Sequence, residues 1–414
     1  MVPEVKAMKR LLISGWLLAT CFLTQGVKAQ QLRPDRIVLN VTADPSRTAA
    51  ITWRTTQTVT TSYAELAPAT ADPRFTEKAK RYTAITTEPF ADSLPVRYHH
   101  FVFDSLQPNT NYAYRVGQGD QWSEWFPLRT AGLPGEPFSF IYLGDAQLNI
   151  LSLWSRAIRK AWSMAPDARL IIHAGDLVNR GNNNNEWQQW FEAGGFIHST
   201  IPGMMSIGNH EYYENAAGQD VPSAFWRPQF TLPENGPAGL EETCYYTDVQ
   251  GMRFISLNSQ EVEISDTLLA RQQAWLEQLL KNNPNRWTAI TFHHPVLSTK
   301  KSRNNERLRE HFKPLFDKYK VDLVLQGHDH TYARGRDGNK GPVYVVSVSG
   351  PKMSAIDTQP WMTRTGSYTQ LFQVVDVKPK VISYRSYTVT GELFDAFDLE
   401  KQANGENLLK NKMK

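Results

Sequence analysis

Five short apolar runs in this chain break off in the same way, each at residues able to hold a cation. Phe138–Leu143 ends at Gly144-Asp145, Leu170–Ala174 at Gly175-Asp176, and Pro202–Ile207 at Gly208-Asn209-His210-Glu211. Trp287–Phe292 ends at His293-His294-Pro295, and Val321–Gln326 at Gly327-His328-Asp329-His330. Runs of this length and character suit buried parallel strands, and open α/β sheets collect ligands beyond the carboxyl ends of their strands. Taken singly, a Gly-Asp is an ordinary turn or helix cap and an Asn-His an ordinary loop. Five strand ends of this kind in one chain point instead to loops that converge. Carboxylates and an amide oxygen are hard ligands, and imidazoles suit Fe, Zn or Mn. The residue types therefore predict a pair of metal ions, with one carboxylate able to bridge them. Glycine precedes four of the five clusters, removing a side chain that would obstruct the metals or a substrate.

The chain has 414 residues, enough for two domains and a large core. Upstream of the first run, from about Arg33 to Thr130, short alternating strands replace the α/β pattern. Ile37, Leu39 and Val41 form one set, Ala49, Ile51 and Trp53 a second, and Tyr112, Tyr114 and Val116 a third. This predicts an all-β sandwich over 33–131. Leu106-Gln107-Pro108-Asn109-Thr110-Asn111-Tyr112 resembles the turn of fibronectin type III modules, in which the Tyr makes a corner hydrogen bond. No ionisable cluster with catalytic spacing appears here, and the His99-His100 pair reads as structural or exposed. The Gly- and Pro-rich 131–137 stretch is the linker.

A net charge of +4 falls well short of a nucleic-acid-binding signature. It still favours anionic substrates if the charge gathers at a cleft. Lys6, Lys9 and Arg10 precede the apolar run Leu11–Leu23, which is short for a membrane span, and Val27-Lys28-Ala29 offers a cleavage site. Residues 1–29 thus read as a signal peptide and the mature chain as exported, periplasmic or secreted. Leu18-Ala19-Thr20-Cys21 gives an alternative, a lipoprotein anchored through Cys21. Cys244 is the one other cysteine, so a cleaved product has no internal disulfide.

The five motifs, in this order, resemble those of the calcineurin-like metallophosphoesterases, and the preceding sandwich resembles the N-terminal domain of purple acid phosphatases. The resemblance implies a fibronectin-type-III-like domain followed, over 137–399, by a four-layer αββα domain with a dimetal site at the sheet edge. It implies that Asp176 bridges, that Asp145 and His330 hold the first metal, and that Asn209, His293 and His328 hold the second. It makes His210 the group that steadies the transition state or protonates the leaving oxygen. His294 matches no ligand and is either substrate-facing, packed behind the ligands, or a buried structural ring. The implied activity is an acid-phosphatase-like phosphomonoesterase whose nucleophile is a metal-bridging hydroxide, acting on a phosphorylated small molecule. A phosphodiesterase acting on nucleotides or lipid head groups is the alternative, and a non-catalytic adhesion module a more distant one.

Two departures bear on the metals. Purple acid phosphatases carry a Tyr three residues after the bridging Asp, where this chain has Asn179, and other superfamily members have Asp-x-His where it has Asp145-Ala146-Gln147. Gln147, Asn179 or water is left to complete the first metal, and an Fe, Zn or Mn pair without phenolate is implied. The basic loop 299–305 offers Arg303 or Lys301 to a phosphate oxygen, or is simply solvated. Tyr212, Tyr213 and Tyr332 either line the pocket or pack in the core. Trp187 and Trp190 read as core. Helices are expected over 151–165, 266–282 and 306–319, strands over 344–349, 371–377 and 381–387, and a frayed polar tail over 400–414.

Overall fold

The computed structural model describes residues 33–88 and 95–413. The signal peptide and its Cys21 alternative lie outside the described residues. Among those that are described, no helix is long and apolar enough to cross a membrane.

Residues 35–129 form the expected β-sandwich. Trp53 is fully buried between its sheets, and the Tyr112 hydroxyl accepts from the Gln107 amide at 3.0 Å, closing the corner turn. His99 is structural: it stacks on Trp53 at 5.5 Å and bonds to Thr55 and Thr86 at 2.7 and 2.9 Å.

Two large sheets make up the second unit. In the first, Phe138–Leu143, Ile171–Ala174 and Gly203–Ser206 run parallel. In the second, Met252–Ser256, Trp287–Phe292, Leu323–Gln326 and Val343–Val346 run parallel. The sheets pack face to face. Phe140 meets the Phe254 ring edge-on at 5.1 Å, the Ser206 and Ser256 hydroxyls pair at 3.0 Å, and the Tyr142 hydroxyl donates to the Gln326 carbonyl. Strand burial is nearly complete, with Ser139 alone partly exposed, because each sheet is covered on both faces, which is why these strands read as continuous apolar runs. Helices Ser155–Met164 and Asn184–Gly194 cover the first sheet through Ala157, Ile158, Trp187 and Trp190. Helix Asp266–Lys281 and the segments around Phe312 cover the second through Leu269, Leu276 and Leu280. The result is the four-layer αββα arrangement.

Three expectations need correction. The helix over 306–319 is two short ones, Glu306–His311 and Lys313–Lys318, because Pro314 brings no N–H to the ladder and clashes with the preceding turn. The 151–165 helix opens with a wider turn over Ile150–Trp154 before Ser155–Met164. The tail is not frayed: Asn407–Asn411 pairs antiparallel with Leu393–Lys401, and Asn411 accepts from Arg334 at 2.7 Å.

Candidate metal centre

All five apolar runs deliver their motifs to one place. Asp145, Asp176 and Asn209 follow adjacent strands of the first sheet, and His293 and the His328/His330 pair follow adjacent strands of the second. Because the sheets are stacked with these ends aligned, the two sets of loops face each other.

Asp176, His293 and His328 form one group whose ligand atoms all lie within 4.8 Å of one another, and Asp145, Asp176 and His330 form another. Asp176 belongs to both. Asp176, His328 and His330 hold left-handed backbone, with φ of 51°, 71° and 56°. For non-glycine residues that is a strained conformation that persists only where the surroundings impose it. The glycines are needed for contact. A Cβ on Gly327 would lie 2.5 Å from Asp145 Oδ2, and one on Gly208 2.3 Å from Asp176 Oδ1.

The donor chemistry fits cations. His293 Nδ1 is 2.9 Å from the Ala174 carbonyl, which fixes the proton there and leaves Nε2 a bare lone pair in the neutral ring. That lone pair faces Asp176 Oδ2 at 3.0 Å, Asn209 Oδ1 at 3.1 Å and His328 Nδ1 at 3.1 Å. Acceptors converging so closely need a positive charge among them. A proton on His293 answers part of that need. Burial opposes its charge, but Asp176 and Asp145 outweigh burial and raise the imidazole to about 9. Burial lifts Asp145 to about 7, with Asp176 adding to the rise and His293 opposing it. Asp176 is held below the usual carboxylate range despite its burial, because His293 and His210 stand against it.

His210 Nδ1 lies 2.6 Å from the Asn179 carbonyl, its backbone N–H donates to Asp176 Oδ1 at 3.0 Å, and its Nε2 turns toward the cleft 3.9 Å from Asp176 Oδ2. Gln147 is brought to the site but does not offer a free oxygen. Its amide nitrogen donates to Asp176 and its oxygen accepts from Lys352 at 2.5 Å. Asn179 contributes its backbone, the carbonyl to His210 and the N–H to Glu186 at 2.9 Å.

Two residues read as substrate contacts are otherwise engaged. His294 is a buried ring bonded to Ser259 at 2.9 Å and packed 4.3 Å from the His328 ring. Arg303 donates to the His328 carbonyl at 2.9 Å and to Asp329 Oδ1 at 2.7 Å, bracing the loop between the two histidines. Tyr332 is core, its hydroxyl on Asp395 at 2.7 Å, and Tyr212 is buried, whereas Tyr213 is exposed.

Sequence reasoning passed over Glu211, Asp329 and Lys352. Glu211 is fully buried and accepts from the backbone of Asp176, Gly208 and Val178 at 2.9, 2.8 and 3.2 Å. Asp329 accepts from Ser298 at 2.8 Å and from the Thr299 backbone at 2.6 Å. Lys352 lies outside every motif, and no local signal marks it.

A family model described as calcineurin-like phosphoesterase matches residues 140–332, and one described as the purple acid phosphatase N-terminal domain matches 34–130. Residues 140–332 thus carry a calcineurin-like phosphoesterase domain, preceded by a domain similar to the N-terminal one of purple acid phosphatases. Among curated relatives of this chain, purple acid phosphatase 23 of Arabidopsis thaliana is 28% identical over 300 residues, 63% of each chain. The Fe(3+)-Zn(2+) purple acid phosphatase 12 of the same plant is 27% identical over 252 residues, 57% of this chain and 52% of the relative. The chain thus spans between half and two thirds of the length of these relatives. Its fold matches the solved purple acid phosphatase PPD1 of yellow lupin with a TM-score of 0.76 at 18% identity, over 90% of this chain and 75% of that one.

Proposed function

We propose that this chain is an exported dimetal phosphoric ester hydrolase acting on phosphate monoesters. The observation that carries the reading is that two ligand groups share Asp176. Asp145, Asp176 and His330 would hold one ion, and Asp176, Asn209, His293 and His328 the other. Bound there, two ions would supply Lewis acidity and lower the pKa of a water molecule toward neutrality. The two aspartates offset only half the charge of two divalent ions, leaving a positive centre for a phosphate. His210 is aimed at that centre by the Asn179 carbonyl, which takes the Nδ1 proton, so that as an imidazolium its Nε2–H can donate to a phosphoryl or leaving-group oxygen. With no Ser or Cys required as nucleophile, transfer is direct to water, with inversion at phosphorus. Export rests on the basic-then-apolar start of the chain, and the N-terminal residue of protein recovered outside the cytoplasm tests it.

The decisive experiment measures turnover of p-nitrophenyl phosphate and bis(p-nitrophenyl) phosphate with Mn, Zn or Fe added. The monoester is expected to be the better substrate, and His210→Ala to lower kcat by about 100-fold or more with metal content retained. Preferential cleavage of the diester makes the chain a phosphodiesterase; cleavage of neither, in protein with full metal, ends the hydrolase reading. Asn179 in place of a phenolate ligand predicts that iron-loaded protein shows no strong visible charge-transfer band.

A further inference from the structure

Residues 347–357 form a strap across the metal centre, stitched to it at both ends. Upstream, Val348 bridges to Asp145 and the Gly350 N–H donates to the Asp145 carbonyl at 2.6 Å. Downstream, the Ser354 N–H donates to the His330 carbonyl at 3.0 Å and the Asp357 N–H to the Thr299 carbonyl at 2.9 Å. Gly350 makes the approach possible, since a Cβ there would lie 2.6 Å from the Ala146 carbonyl oxygen and 2.7 Å from that of Asp145.

Between these anchors the strap lays down Lys352. Its ammonium is 2.5 Å from Gln147 Oε1 and 3.2 Å from His210 Nε2. Both partners are side chains of the metal cleft. Neither is a carboxylate, so these contacts do not neutralise the charge. Lysine is a compact, strongly hydrated point charge with three donors. Two of them are spoken for here, and a third is available to a ligand in the cleft.

A phosphate monoester and a diester differ at this centre by one negative charge on one non-bridging oxygen. Two divalent ions with Asp145 and Asp176 leave a charge of about +2, and Lys352 adds one more beside His210. We propose that Lys352 is the specificity-determining residue of this site: its ammonium takes the charged oxygen of a monoester that a diester has esterified, and so sets the preference for monoesters. The inference rests on the hydrolase reading above for its substrate class. Its geometry comes from the strap.

Wild type, Lys352→Met and Lys352→Arg, each with metal content measured, are compared in two ways. In turnover, Lys352→Met is expected to lower kcat/KM for p-nitrophenyl phosphate by about 10- to 100-fold, the worth of one charge-assisted hydrogen bond, and to leave bis(p-nitrophenyl) phosphate within about threefold. Lys352→Arg restores most of the loss. In calorimetry, the preference for inorganic phosphate over dimethyl phosphate is expected to fall by a similar factor in Lys352→Met. An equal fall on both esters, or a loss of metal, overturns the inference and makes Lys352 a support for Gln147 and His210. An unchanged binding preference overturns it as well, even in protein that hydrolyses neither ester. Inert wild type, by contrast, ends the hydrolase reading while the binding comparison still decides the role of Lys352.

Discussion

At the residue scale, the loops of the candidate metal centre depend on a buried carboxylate that lies outside both ligand groups. Glu211 gathers the N–H groups of Asp176, Gly208 and Val178, which fixes the backbone on either side of the shared aspartate. Burial, helped by Asp176, pushes its carboxyl up to about 8, against the pull of those N–H donors. In Glu211→Gln, the side chain can no longer ionise, and one of its two oxygens is permanently replaced by an NH2 facing a backbone N–H. The expected cost is about 1–3 kcal/mol of stability and a 10- to 100-fold weaker hold on metal, read by denaturant unfolding and by calorimetric titration of Mn or Zn. Unchanged metal affinity would show that Glu211 serves the fold alone. The five motifs exposed Asp145, Asp176, Asn209, His293, His328 and His330 to sequence reasoning because each follows an apolar run directly. Lys352 and the accepting role of Glu211 were not legible, since what they do depends on partners brought in from other strands.

At the scale of elements, the last strand shows how a polar segment is recruited. Asn407–Asn411 contains two leucines among polar residues, too few to signal a strand in isolation. It forms because Leu393–Lys401 offers it an open edge, and Lys410 within it and Lys412 just after it pair with Glu400 and Asp398 at 2.6 and 2.9 Å. Lysines on an outer strand also discourage further pairing. Asn407 donates to buried Asp322 at 2.5 Å, beside Lys401. Ending the chain after Lys401 removes that bond and the Asn411 partner of Arg334. The expected loss is about 1–3 kcal/mol, seen as a lower midpoint in scanning calorimetry; an unshifted midpoint would mean that the strand adds nothing. The divided helix teaches the complementary point. Apolar spacing over 306–319 continues through Pro314, but proline chemistry overrides periodicity there.

At the scale of the whole molecule, the sandwich and the αββα layers share one sheet. Asn40 pairs with Gly203, so the first-domain strands continue the sheet that carries Asp145, Asp176 and Asn209. Buried Arg36 reinforces the join, donating to Gln229 at 2.7 Å and to the Asn184 carbonyl at 3.0 Å, while the Tyr114 hydroxyl donates to the Ser199 carbonyl at 2.7 Å. Thermal unfolding is therefore expected to be a single transition. Arg36→Ala, which leaves those acceptors unpaired, should lower its midpoint, at a cost of about 1.5–3 kcal/mol, with metal content unchanged. Two well-separated transitions in the wild type would show that the domains fold independently. The amino-acid sequence by itself determined the strand ends and the candidate ligands beside them, because a buried strand declares itself in consecutive apolar residues and its terminal loop is adjacent in the chain. Only the tertiary structure decided that Gln147 meets Asp176 and Lys352 instead of offering a free oxygen, that Arg303 braces Asp329, and that the strap sets a cation in the cleft. Those outcomes turn on hydrogen bonds between residues far apart in sequence, whose geometry exists only once both sheets are stacked.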